Sequence, residues 1–178
     1  GEYRKITTPA SALKIVQQKL SQVLYCVYQP KPSTHGFVKN KSIVTNASFH
    51  SGKRYIFNID LEDFFPSINF GRVRGMFINT PYNLSPKVAT VLAQICCHDN
   101  CLPQGAPTSP VVSNMLCSRM DSQLQRLAKE NKCRYTRYAD DITFSTSMPK
   151  FPVQIGSFDV AGQARVGHRL SDIVEQNG

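Results

Sequence analysis

Two adjacent carboxylates, Asp140 and Asp141, stand between short runs of β-forming residues. Arg134-Tyr135-Thr136-Arg137 precedes Tyr138-Ala139, and Ile142-Thr143-Phe144-Ser145 follows the acids. The pattern predicts a hairpin holding both acids at a tight turn. Side-by-side carboxylates repel, so such a turn normally needs a compensating cation. A second acidic cluster lies in Ile56-Phe57-Asn58-Ile59-Asp60-Leu61-Glu62-Asp63-Phe64-Phe65, where Asp60 ends a run of β-formers. If the two strands are neighbours, Asp60 and the Asp140–Asp141 pair can share divalent metal ions and activate a phosphoryl transfer. An Asp-Asp dipeptide on its own is more often a solvated turn, because Asp favours turns.

At 178 residues the chain suits one compact domain or one piece of a larger enzyme. With 41% apolar residues it can build a core. The six cysteines show no disulfide framework and no secretory signal precedes them, which favours a reducing cytoplasm. No segment approaches the ~20 apolar residues needed to cross a bilayer, so no membrane partner is expected. The net charge is +9, with acids grouped near the two acidic motifs. A basic body around an acidic centre suits a polyanion held against a metal site, although charge alone also fits a merely basic protein.

Periodicity predicts an α+β chain. Thr8-Pro9 opens a helix to about Tyr28, with Leu13, Val16, Leu20, Val23, Leu24 and Val27 on its buried side. Pro30, Pro32 and Gly36 break it. A short helix is expected over 42–50, a turn at Ser51-Gly52 and a strand over 55–59. Ser85-Pro86 starts another helix, burying Val88, Val91, Leu92 and Ile95. A long helix after Pro110 carries Val111, Met115, Leu116, Met120, Leu124 and Leu127. The acidic hairpin comes next, then a loop over 148–156 and a last helix over 164–176, with Asn177-Gly178 as its C-cap.

Acids at the end of one strand and at the turn of a later hairpin match a polymerase palm. The chain resembles a reverse transcriptase of the bacterial branch that includes retron enzymes. Asn58-Ile59-Asp60-Leu61-Glu62-Asp63-Phe64-Phe65-Pro66-Ser67-Ile68 is similar to the first palm motif of that family. Leu102-Pro103-Gln104-Gly105-Ala106-Pro107-Thr108-Ser109-Pro110 is similar to the second, and Tyr138-Ala139-Asp140-Asp141 to the third. Arg4-Lys5-Ile6 resembles the fingers region, and Asn46-Ala47-Ser48-Phe49-His50 the Asn-Ala-x-x-His element of retron enzymes. The resemblance implies a right-hand polymerase fingers–palm fold, its small antiparallel sheet carrying the aspartates and packed on helices. Residues 1–54 would be fingers-like and 55–178 palm, with fingers elements around 70–100. The Val-Thr-Gly element is not found, and the chain ends about where primer-grip strands would begin. The expectation is a portion truncated before primer grip and thumb, with weak or no polymerase activity alone.

The resemblance also implies a chemistry. Nucleotidyl transfer builds negative charge on the attacking and leaving oxygens, which two Mg²⁺ ions ~4 Å apart stabilise, Mn²⁺ being an alternative. Asp60 and Asp140 would bridge the ions, Asp141 would be an additional ligand, and the Leu61 carbonyl would complete one site. Hard oxygen ligands suit these ions and not zinc. Phe65 would be the steric gate against a ribose 2′-hydroxyl, with Phe64 in the core. Asp63 would hydrogen-bond nearby backbone or the incoming nucleotide, or sit solvated. Gly105 permits positive φ, and the helix start behind it offers N–H groups, so Gln104 and Gly105 would line the nucleotide and template–primer side. Arg4 and Lys5 would grip the triphosphate.

Partners implied are an RNA template, a DNA primer, deoxynucleoside triphosphates and a cognate noncoding RNA, in a bacterial cytoplasm and in phage defence. The rivals are a group II intron or other bacterial reverse transcriptase, and a non-catalytic nucleic-acid-binding scaffold. Cys96-Cys97-His98-Asp99-Asn100-Cys101 lacks the second ligand pair that zinc needs, and reads as buried thiols beside a loop histidine. Among Asn46, Ala47 and His50, the histidine is expected to organise its short helix through backbone hydrogen bonds, with an RNA contact as the alternative. Lys39, Lys41, Lys53, Arg54, Arg72 and Arg74 are candidates for phosphate-backbone contact.

Overall fold

The structure, a computed structural model, describes residues 8–160 and 162–178, so Arg4 and Lys5 lie outside the described residues. In chain order its elements are α1 (Ser11–Val27), α2 (Ile43–His50), β1 (Tyr55–Asp60), α3 (Phe64–Ser67), α4 (Phe70–Ile78) and α5 (Pro86–Cys96). They continue with α6 (Ser109–Glu130), β2 (Arg134–Tyr138), β3 (Asp141–Thr146), β4 (Gly156–Phe158), β5 (Ala164–Val166) and α7 (His168–Gln176). This is an α+β chain. It divides into two units: residues up to Gln29 with Asp63–Leu116, and Pro30–Glu62 with Cys117–Gly178. Among the described residues no helix is long and apolar enough to cross a membrane.

The first unit is helical. Its core joins Leu24 and Tyr28, Val73 and Phe77 of α4, Ala89, Ala93 and Cys96 of α5, and Val111, Val112 and Met115 of α6. Helix starts are written locally. Ser85 Oγ accepts the Val88 N–H and Pro86 occupies the first turn, while Asn69 Oδ1 accepts the Arg72 N–H at 2.9 Å.

Two buried faces differ from the periodicity. Helix α1 buries Gln17, Ser21 and Leu24 and leaves Leu13, Val16, Val23 and Val27 exposed. Gln17 earns its place by donating to the Ile95 carbonyl at 2.8 Å, and Ser21 keeps the same face small. Helix α5 buries Ala89, Ala93 and Cys96, not Val88 and Val91, because alanines let backbones approach closely.

In the second unit three antiparallel strands run in the order β1-β3-β2. The register pairs Tyr55 with Thr146 through to Asp60 with Asp141, and Arg134 with Ser145 through to Tyr138 with Asp141. Central β3 is buried from Ile142 to Thr146, so both of its faces are covered. On one face Phe57, Phe144 and Tyr135 align, the last two rings 5.2 Å apart. Residues on the other face include Thr136 and Ser145, where α2 sits through His50.

The expected helix over 164–176 begins only at His168, after β5 has paired with β4. Gly167 explains the late start. Its N–H donates to the Ile155 carbonyl at 2.9 Å, and a Cβ there would lie 2.4 Å from the Gln154 carbonyl. The chain is thereby held extended up to the N-cap. Gly178 follows α7 at φ +97°, the conformation expected just past a helix end.

Candidate active site

Asp60 closes β1 and Asp141 opens β3, and the register sets them directly opposite each other. Paired antiparallel residues lie ~5 Å apart at Cα with side chains on the same face. The Leu61 N–H donates to the Asp140 carbonyl at 3.1 Å, carrying the ladder one step past Asp60. Asp140 sits in the two-residue turn with Ala139, whose φ of 56° is left-handed. Asp60 and Asp141 are exposed and Asp140 is half-buried. The sequence therefore delivers all three acids to one end of one sheet.

Asn58, two residues before Asp60 on the same face, steers one of them. Its Nδ2 donates to Asp141 Oδ1 at 3.3 Å, and Thr143 Oγ1 donates to Asn58 Oδ1 at 2.7 Å.

The turn is held from behind by a buried polar network that sequence reasoning missed. Asp121 and Arg137 form an ion pair at 2.8 Å with both side chains fully buried. Asp121 Oδ1 accepts from the Tyr135 hydroxyl at 2.6 Å and from Arg137 Nε at 2.8 Å. Oδ2 accepts from Thr34 Oγ1 at 2.9 Å and from a terminal Arg137 nitrogen at 2.8 Å. With four donors around it, the carboxylate has the satisfaction a buried charge requires. Burial pushes the Tyr135 pKa well above its usual value, so its hydroxyl stays a donor. The other terminal nitrogen of Arg137 donates to the Ala139 carbonyl at 2.9 Å, gripping the turn itself. Arg137, three residues before Asp140, thus braces the turn by hydrogen bonding while its charge is met by Asp121.

A loop strand completes the cradle. The Ser33 carbonyl accepts the Arg137 N–H at 2.9 Å, and the His35 N–H donates to the Arg137 carbonyl at 2.8 Å. Lys41 Nζ fixes that segment from outside through the carbonyls of Pro32 and Thr34. A Cβ on Gly36 would fall 2.4 Å from the Ala139 nitrogen, so only glycine lets this segment lie against the turn. Asp121 was detectable in principle: it lies in the buried stripe of Cys117, Met120, Leu124 and Leu127, where an acid is out of place.

Other candidates group within the helical unit. Asp63 is the left-handed N-cap of α3, φ 47°, and is exposed without a side-chain cap bond. Phe64 is buried and Phe65 half-buried, their rings edge to face at 5.2 Å. Gln104 is half-buried and Gly105 exposed at φ 105°. The loop that carries them is tied to the turn after α3, with Phe70 N–H to Asn100 O at 2.9 Å and Leu102 N–H to Ile68 O at 3.0 Å. Ser109 Oγ to Pro103 O at 2.7 Å closes it.

The Asn46-Ala47-His50 element behaves differently from expectation. His50 makes no local backbone cap; its Nδ1 meets Ser145 Oγ and its Nε2 meets Thr136 Oγ1, both at 2.7 Å. Burial, with the His35 and Arg134 charges behind it, pushes His50 down to about 4, so the ring is neutral near pH 7. Helix α2 is thereby bolted to the sheet, while Ala47 is exposed and Asn46 half-buried on it. Burial also pushes the Cys96 thiol up to about 12 and Cys97 to about 11, so both stay protonated, and none of the six cysteines forms a disulfide.

Among the described residues, no three His, Cys, Asp or Glu side chains converge tightly enough to hold an ion unaided. The acids still fit a hard divalent ion, since Mg²⁺ binds through one or two carboxylates and completes its shell with water and phosphate oxygens. Asp60 and Asp141 on one exposed face, with Asp140 at the turn, offer that donor chemistry.

Residues 1–155 match the family described as reverse transcriptase (RNA-dependent DNA polymerase). The chain is 41% identical over 155 residues to the retron Ec86 reverse transcriptase of Escherichia coli, covering 87% of this chain and 48% of that protein. It is 37% identical over 163 residues to the retron Mx65 reverse transcriptase of Myxococcus xanthus, covering 82% and 38%. For the retron Mx162 reverse transcriptase of the same organism the figures are 39% over 171 residues, 85% and 35%. The chain thus spans between about a third and a half of the length of these relatives. Dependence on divalent metal is general in this family. Three motif acids at one end of one sheet and a family match over most of the chain agree: the chain belongs to the reverse transcriptase family.

Proposed function

We propose that this chain is the fingers–palm part of a retron-type RNA-directed DNA polymerase. The observation that carries the reading is the pairing of Asp60 with Asp141, with Asp140 in the adjoining turn. In this reading Asp60 and Asp140 bridge two Mg²⁺ or Mn²⁺ ions, with Asp141 and the Leu61 carbonyl as further ligands. Bound there, the ions would stabilise charge on the attacking 3′-oxygen and on the leaving diphosphate. The chain's own residues do the positioning. Asn58 restrains the Asp141 carboxylate, and the Arg137 grip on Ala139 fixes the backbone from which Asp140 projects. Phe65 is the steric gate for the sugar, Gln104 and Gly105 line the nucleotide side, and Asp63 contacts the nucleotide or its own backbone. Arg4 and Lys5 hold the triphosphate.

Substrates in this reading are an RNA template, a DNA primer and deoxynucleoside triphosphates, with a cognate noncoding RNA as partner. Residues 1–54 count as fingers-like and 55–178 as palm, with fingers elements around 70–100. The setting is a bacterial cytoplasm and the biological role is phage defence. Primer extension on an RNA template by the protein that carries this chain tests the reading. It should require Mg²⁺ or Mn²⁺ and vanish in Asp140→Asn, and Phe65→Ala should admit ribonucleotides. Undiminished extension by Asp140→Asn would sink it.

A further inference from the structure

A cleft of about 310 Å³ lies at the end of the sheet opposite the acids, between the start of β2 and the end of β3. Lys53, Lys132 and Arg134 line it together with Ser147 and Met148. No carboxylate lines it, and among the described residues none of the three cations forms an ion pair. Like charges gathered without an acid repel one another, and an anion from outside would relieve that repulsion.

The cleft is also preformed. One terminal Arg134 nitrogen donates to the Phe49 carbonyl at 2.7 Å, and the guanidinium lies 5.1 Å from the centre of the Phe49 ring. That anchoring orders the planar donor group before any ligand arrives. Lys132 projects from a left-handed turn, φ 53°, whose carbonyl accepts Thr146 Oγ1 at 2.9 Å. Ser145 Oγ is taken by His50, so the hydroxyls brace the walls and the cations are left for the ligand.

We infer that this cleft binds the phosphodiester backbone of a nucleic-acid strand, at a site separate from the acidic turn. Asp141 and Thr146 are the two ends of β3, and at ~3.4 Å per residue they lie about 17 Å apart. A phosphate in the cleft is therefore too far along the strand to belong to a nucleotide reacting at the acids. The donors are two ammonium groups and one guanidinium with no base-reading amide beside them, which gives backbone contact without sequence choice. Nucleic acid is chosen as ligand on the strength of the polymerase reading above.

The test is fluorescence anisotropy with a labelled RNA hairpin, run across a salt series. The probes are compared on the unaltered protein, on the triple variant Lys53→Gln/Lys132→Gln/Arg134→Gln, and on Asp140→Asn. Three lost phosphate contacts should weaken binding about tenfold or more at low salt and flatten the log–log salt slope by about 2 to 3. The thermal melting curve checks that the triple variant folds, and Lys132→Gln alone, a fully surface change, should flatten the slope by about 1. Asp140→Asn should bind RNA like the unaltered protein while failing to extend a primer. Unchanged affinity and slope in the triple variant would overturn the site. So would an equal loss of binding to labelled polyglutamate, which would mark a general anion patch. Absence of primer extension by the full-length protein that carries this chain, with the RNA effect intact, would count against the polymerase reading and leave the cleft standing.

Discussion

The two units differ in what stands behind their candidate residues, although each buries both apolar and polar side chains. The helical unit, which carries Phe65 and the Gln104-Gly105 loop, is held by apolar side chains such as Val73, Phe77, Ala89 and Ala93, none more than 1% exposed. The sheet unit, which carries the acids, buries Thr34, Asp121, Thr136, Arg137 and Ser145 to the same degree. Apolar packing tolerates small shifts, because it has no direction. Hydrogen bonds to a charged pair do have direction, and here they end on the Ala139 carbonyl beside Asp140. The difference teaches that the acidic turn is specified by polar geometry, and that its support is intolerant of shape-preserving substitution.

The largest expected effect comes from breaking the polar side. Asp121→Ala leaves Arg137 buried and unpaired, and should cost about 3–5 kcal/mol by urea unfolding. Asp121→Leu combined with Arg137→Met should recover most of that stability, yet under the proposed function primer extension by the protein that carries this chain should not return, because the grip on Ala139 is gone. On the apolar side, Phe77→Ala should cost about 3–4 kcal/mol, whereas Phe77→Leu, still apolar, should cost only about 1.5 kcal/mol. A near-isosteric Asp121→Asn should enjoy no such leniency.

The next effect separates the units by pH. His50 is pushed down to about 4 in the folded protein, against about 6.5 for an unperturbed histidine. The unfolded chain therefore binds the proton first as pH falls. Stability is fully present above about pH 6.5 and is lost progressively toward pH 4, by on the order of 3 kcal/mol. His35, lowered by burial and by Lys41, adds in the same sense. Urea midpoints measured between these pH values should fall for the unaltered protein and flatten in His50→Gln. Smallest is Gly36→Ala, about 1–3 kcal/mol, since Ala139 must shift to admit the methyl group. Its primer-extension rate should fall by more than the stability loss accounts for.

Local signals placed much of this correctly. The short helix near 42–50, the helix start at Ser85-Pro86, the strand near 55–59, the hairpin and the long helix expected after Pro110 all follow from neighbours in sequence. Helix faces were read less well. Val16, Val23 and Val88 look like core by type but are exposed, while Gln17 is buried through a bond to Ile95, 78 residues away. Strand β5 departs from the helical expectation although its pairing with β4 is local, from Phe158 with Ala164 to Gly156 with Val166, because all three of its residues are exposed and leave no buried alternation to mark a strand. His50 was expected to act locally and instead reaches partners 86 and 95 residues away.

What the chain's own order of residues determined is the inventory: three acids, each at the end of a β-prone run, and a glycine loop before a helix. Those follow from short-range propensity and charge, which neighbouring residues set. Only the tertiary structure decided that Asp60 pairs with Asp141, that Asp121 neutralises Arg137, and that Gly36 rests against Ala139. Each of those depends on segments far apart in sequence meeting at hydrogen-bonding distance, and no local pattern encodes such a meeting.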